Sequence, residues 1–238
     1  MYAVTPGGSA VSFSEETPAA RALFIRRTYG HLAAAIGAFV ILEAYLLSLP
    51  IAKTFTTYAG NKYVWLGILA AFMLVSYIAD SWARSGSSRT LQYLGLGLYV
   101  VAESVIFVPL LSMARIISPE IIPMAALLTG ILAGGLTMVC LCTRANFSGL
   151  RNVVTVGGFV ALGLILCSII FGFTLGLAFS GAMILLACLS ILWTTSSVVH
   201  EYDTDQHVAA ALSIFASVAL LFWYVVRLLM HLYGATQE

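Results

Sequence analysis

Charge is what this 238-residue chain has least of. Lys, Arg, Asp and Glu together make up 9% of it, with a net charge of +1, where soluble domains carry about 25%. From Asn152 to His200 there is no charged residue at all. That length crosses a bilayer twice, since one span takes roughly 20 apolar residues. An ordinary water-soluble globule is excluded, and so is a nucleic-acid partner, which would need a basic surface. Lysine occurs only at Lys53 and Lys62, both at loop ends, so a retinal pump with its last-span lysine is excluded too. Four cysteines (Cys140, Cys142, Cys167, Cys188) all sit in apolar runs and read as small packing residues rather than metal ligands. No short apolar segment of signal-peptide type opens the chain, because the first apolar stretch starts near residue 29 and runs too long.

What is present is apolar sequence in blocks. Seven windows read as spans: Tyr29–Leu49, Tyr63–Ala79, Leu91–Met113, Ile121–Cys142, Val153–Gly172, Leu175–Val199 and Val208–Leu232. Turn residues separate them: Pro50, Gly60-Asn61, Ser85 to Ser88, Ser118-Pro119 and the polar run 200–207. A β-barrel would show short alternating segments instead. Residues 1–20 hold Gly, Ser, Pro and Glu15-Glu16 and read as a disordered tail, leaving 21–238 as one transmembrane domain. Orientation follows from the basic loops. Arg21, Arg26, Arg27, Arg84, Arg89, Arg144 and Arg151 fall on one side; Lys53, Lys62 and Arg115 fall on the other. The N-terminus is expected in the cytoplasm and the C-terminus outside, which is opposite to a G-protein-coupled receptor at the N-terminus. Arg227, in the outer part of the last span, reads as snorkelling to the interface. Gly130-x-x-x-Gly134 and Gly172-x-x-x-Gly176 have the spacing of close helix contacts.

Two carboxylates stand within spans, Glu43 and Glu103. Each costs roughly 2.5–3.5 kcal/mol at a helix centre, so function is the default reading. At about 1.5 Å per residue they lie at similar depth, and if they face each other they share a proton and make a cation or proton site. The bland alternative is a protonated carboxyl that only fixes helix packing. The sequence HEYDTDQH, residues 200–207, holds the densest polar run. It reads as a solvated loop between the last two spans, with Thr204 or Asp205 capping the last one. His31, His200 and His207 fall on the same side, without the spacing of a metal site. Arg84 is placed to latch helices there by pairing with Asp203 or Asp205. No paired nucleophile and base, and no Gly-x-Ser-x-Gly elbow, marks the chain as an enzyme, and no cofactor is expected.

Four stretches, "FIRRTYGHLA", "LQYLGLGLYVVAESVIFVPLL", "TRANFSGLR" and "AALSIFASVALLFWYVVRLL", together with seven spans and a charge-free fifth–sixth hairpin, resemble the Bax inhibitor-1-like family on its bacterial, YccA-type side. The resemblance covers nearly everything after residue 20. It implies an all-α seven-helix bundle with the seventh helix near the centre, in a bacterial inner membrane. It also implies either a pH-sensitive calcium leak or a non-conducting regulator that restrains a membrane-bound AAA protease. In the family the leak relies on two aspartates that share a proton, one near the end of span six and one within span seven. Tyr202-Asp203-Thr204 looks like the first, but the spacing assigns the pair to Thr194 and Ser217, 23 residues apart, while a third family acid corresponds to Asn146. Hydroxyls do not titrate near neutral pH, so the aspartate mechanism does not carry over. A leak of calcium or protons here would rest on Glu103, with Glu43.

Overall fold

The apolar blocks fold into helices and, among the described residues, into nothing else regular. The computed structural model describes residues 18–86, 88–143 and 145–235. Eight helices follow one another: α1 (Pro18–Leu46), α2 (Ile51–Ala59), α3 (Lys62–Ala83), α4 (Arg89–Ile117), α5 (Ile121–Thr143), α6 (Leu150–Phe171), α7 (Leu177–His200) and α8 (His207–Ala235). All but α2 are long and apolar enough to cross a bilayer. The bundle therefore has two ends. The start of α1 and the α3–α4, α5–α6 and α7–α8 turns form the proximal end; α2 and the remaining turns form the distal end.

The first span begins earlier than its apolar run, because α1 starts at Pro18 rather than near Tyr29. Its added turns are anchored by Phe24 and Thr28, which are fully buried. Residues 18–20, expected in a disordered tail, belong to this helix; the rest of that tail and Arg144 lie outside the described residues. The segment after Pro50, expected as a simple break, contains α2. Nine residues cannot span a membrane, and α2 instead turns Ala52 inward while Ile51 and Tyr58 stay exposed. Asn61 then caps α3, its Oδ1 accepting from the Tyr63 and Val64 amides at 3.0 and 3.5 Å.

Helices α4 and α8 form the centre, each with two thirds of its best apolar window buried. The seventh span, α8, packs against α1, α4, α5 and α7. Phe107 of α4 joins it by stacking on Phe222 at 5.6 Å and meeting Trp223 edge-on at 4.9 Å. With lipid outside, the bundle gains little from apolar burial and relies on close fit. The tightest fit is at Gly95 of α4: a Cβ there would lie 2.5 Å from the Ala79 carbonyl oxygen and 2.6 Å from the Ala83 amide nitrogen of α3. The glycines picked out by spacing behave otherwise. Gly130 and Gly134 are exposed and a Cβ on either would touch nothing. Gly172, at φ +77°, ends α6 in the left-handed region, and Gly176 precedes α7. Of the cysteines read as packing residues, only Cys140 is buried, and Cys142 and Cys167 are exposed on the lipid-facing surface.

Candidate functional site

At the proximal end, the last carbonyls of α7 have no partners within their own helix. Arg21 of α1 supplies them: its guanidinium donates to the Val198 and Val199 carbonyls at 3.0 and 3.1 Å and also to Tyr202. A cation at a helix C-terminus is favourable on charge as well. Arg84 lies nearby but does not latch onto Asp203 or Asp205. It pairs with Asp80 one turn back, at 2.8 Å, and lies over the Tyr202 ring at 5.8 Å. The i, i+4 partner is on the same helix face and costs no loop ordering, so it wins. The hydrogen bond that Arg84 donates to the Asp80 carboxylate raises the Arg84 pKa, keeping the guanidinium charged. The three histidines separate as well: the His31 and His207 rings lie 5.0 Å apart, while His200 turns back to the Ser196 carbonyl at 3.0 Å. α8 begins at His207, and its first bond, from the Ala210 amide, goes to the Gln206 carbonyl at 3.0 Å. The cap position is therefore Gln206 rather than Thr204 or Asp205. Asn146 accepts from the Ser148 amide at 2.9 Å, a local loop bond.

These groups border a cavity of about 730 Å³ that opens at the proximal end and is lined by Asp80, Arg84, Arg151, Glu201 and Tyr202 among others. Its two acids and two bases balance. It narrows inward to hydroxyls. Ser190 and Ser217 bond at 2.8 Å, and Thr194 lies 3.5 Å from Ser217. The two positions matched to the family's aspartates are thus brought face to face across α7 and α8, but as alcohols. Ser217 also donates to the Ser213 carbonyl at 3.1 Å, and Ser213 meets the Tyr202 hydroxyl at 2.8 Å.

Beyond the hydroxyl neck is a second cavity of about 450 Å³. Tyr99, Ser190, Ala216 and Ser217 line both. Its wall is mostly aromatic and aliphatic, with Glu103 as its carboxyl. Tyr99, one turn back on α4, lines the same cavity as Glu103. Glu43 of α1 and Glu103 of α4, the two carboxyls paired by depth, are both buried, 5% and 6% exposed. Both Glu43 oxygens are buried and have no hydrogen-bond partner among the described residues, a costly arrangement for a polar group.

A third cavity of about 370 Å³ follows at the distal end, and Trp65, Trp223 and Arg227 line it together with the second. Arg227 lines both cavities and is half-buried. One stripe of α8 (Ser213, Ser217, Leu220, Trp223, Arg227, Met230) borders all three cavities in turn. That stripe follows helical spacing and was legible in the sequence as a pattern. The clasp of Arg21 had no sequence signal, since it depends on how a helix surface and a turn meet.

A family model described as "Inhibitor of apoptosis-promoting Bax1" matches residues 21–233. Similar curated proteins include an uncharacterized protein of Pseudomonas aeruginosa, 28% identical over 203 residues, which cover 83% of this chain and 84% of that one. Uncharacterized proteins from serogroups A and B of Neisseria meningitidis are each 28% identical over 188 residues, 76% of this chain and 80% of theirs. No solved structure matches.

Proposed function

The chain belongs to the Bax inhibitor-1 family of integral membrane proteins, and from that premise we propose that it is a passive cation leak, for calcium or protons, in a bacterial inner membrane. The observation that carries this reading is the series of three cavities, each sharing wall residues with the next, which runs from the α7–α8 turn past Glu103 to the opposite end of α8. Ionisable groups inside a membrane-spanning bundle that border a cavity are the usual mark of an ion or proton pathway. Glu103 is the titrating group of this path. Glu43, buried without a hydrogen-bond partner among the described residues, is in this reading the second carboxyl with which it shares a proton. The hydroxyl pair Thr194 and Ser217 holds the neck between α7 and α8 without titrating. With the N-terminus in the cytoplasm, the large polar cavity opens inward.

The test is calcium and proton flux into liposomes carrying the purified protein at pH 6 and pH 8, beside Glu103→Gln. Flux that depends on pH and falls at least tenfold in the variant is the expected result. Flux no greater than that of empty liposomes at either pH would sink the leak and leave a non-conducting regulator of a membrane protease or another membrane protein.

A further inference from the structure

The middle cavity is a groove rather than a closed chamber. On the α3 and α6 sides it is walled by Leu69, Phe72, Met73, Leu162 and Ile165, all half-exposed or exposed. Helix α6 packs on α7 and barely touches α3. The groove therefore opens sideways between α3 and α6, at a depth where the surrounding medium is lipid. Along α8 it runs from Arg227 to Ser217, roughly 15 Å. Half of a hydrocarbon core about 30 Å thick is the same length, so the groove is one leaflet deep.

Its distal end is where charge enters. Trp65, Trp223 and Arg227 line both the groove and the distal cavity. The two tryptophans stack at 6.3 Å, and tryptophan is enriched at the headgroup level of a bilayer. One turn further along α8, Arg227 is half-buried and has no ion pair among the described residues. Thr56 and His231 line the distal cavity with it, and among the described residues that do so there is no carboxylate.

We propose that this groove binds one anionic phospholipid of the distal leaflet, its phosphate on Arg227 in the distal cavity and one acyl chain lying along the groove toward Ser217. The guanidinium fork matches two phosphate oxygens at once. Charge selects the lipid: a headgroup with net negative charge is favoured at an uncompensated cation, whereas a zwitterion brings its own cation to the arginine. The apolar chain gains little by leaving equally apolar neighbours and is held by fit, so the headgroup sets the preference. The site does not depend on the leak reading, and a bundle that conducts nothing would have it too. A seated chain lies along the Glu103 wall, so on the leak reading lipid and permeant ion alternate in this cavity.

The experiment places the full chain in mixed micelles with equal phosphatidylglycerol and phosphatidylcholine, releases it intact in a mass spectrometer and counts the lipids retained, with melting temperature recorded for each protein. Wild type keeps one lipid per chain, predominantly phosphatidylglycerol. Arg227→Gln lowers the ratio of phosphatidylglycerol to phosphatidylcholine about fivefold, the worth of one cation beside an anionic headgroup. Arg115→Gln removes an exposed charge at the same end but outside the groove and leaves the ratio unchanged. Equal retention of the two lipids by wild type overturns the site, a result that needs no variant to fold. An unchanged ratio in Arg227→Gln does the same, and so does an equal fall in both variants, which is the effect of general surface charge. Release of the lipid by millimolar inorganic phosphate means that phosphate alone is recognised and overturns the seat for the chain. Flux is read separately: a retained lipid without flux leaves the site standing and the leak refuted, and flux without lipid preference does the reverse.

Discussion

At the scale of single residues, the polar groups inside this bundle divide by whether they find partners. Arg21 finds at least three carbonyls at the end of α7, and this clasp joins the first span to the turn before the last one. Arg21→Ala leaves those carbonyls without their donor and removes a cation from a helix C-terminus; the expected loss is about 2–3 kcal/mol of stability. Hydrogen exchange measures it: amides of residues 198–206 should lose protection first, before those of α4. Arg21→Lys should recover only part of the loss, because an ammonium cannot reproduce the guanidinium fork. Glu43 is the opposite case, a buried carboxyl without a partner. A fold selected for stability alone would replace it with an apolar residue, and its presence inside a span therefore supports a role in function.

At the scale of elements, the α3–α4 hairpin shows how the bundle is held when lipid removes most of the hydrophobic gain. Ala79 and Ala83 are essentially inaccessible, and Gly95 lies directly against their backbone. Gly95→Ala should drive the two helices apart, at about 1–3 kcal/mol. Gly97 is two residues on, exposed, with nothing within reach of a Cβ. Gly97→Ala should be neutral or stabilise by up to about 1 kcal/mol through helix propensity. Thermal unfolding of both variants in one detergent checks the pair, and equal shifts would contradict the close contact at Gly95. The two glycines read identically in the sequence. The pattern Gly130-x-x-x-Gly134 looked the better contact, yet it faces outward, because spacing fixes that two residues share a face but not which helix, if any, that face meets.

At the scale of the whole molecule, seven crossings place the two termini on opposite sides of the membrane. The basic residues of the loops lead us to expect the N-terminus in the cytoplasm. Single-cysteine labelling in a background without Cys140, Cys142, Cys167 and Cys188 tests this with a membrane-impermeant reagent. A cysteine at Asp205 should react only after the membrane is opened, and one at Lys62 in intact cells. The reverse pattern would invert the direction of the path, placing the balanced cavity outside and Arg227 inside.

The sequence by itself determined the membrane class and the number of spans. These follow from run length and rise per residue, which are local quantities. It also matched Thr194 to Ser217 by spacing, and the two hydroxyls lie 3.5 Å apart. Tertiary structure decided the rest. Arg84 chose Asp80 over the two loop aspartates because a neighbour one helical turn away needs no further ordering. Arg227 lines two cavities because α8 is surrounded by α1, α4, α5 and α7, so little of that helix meets lipid. Whether a charge points to a cavity or to the bilayer depends on which helices surround its own, and that information is spread over the whole chain.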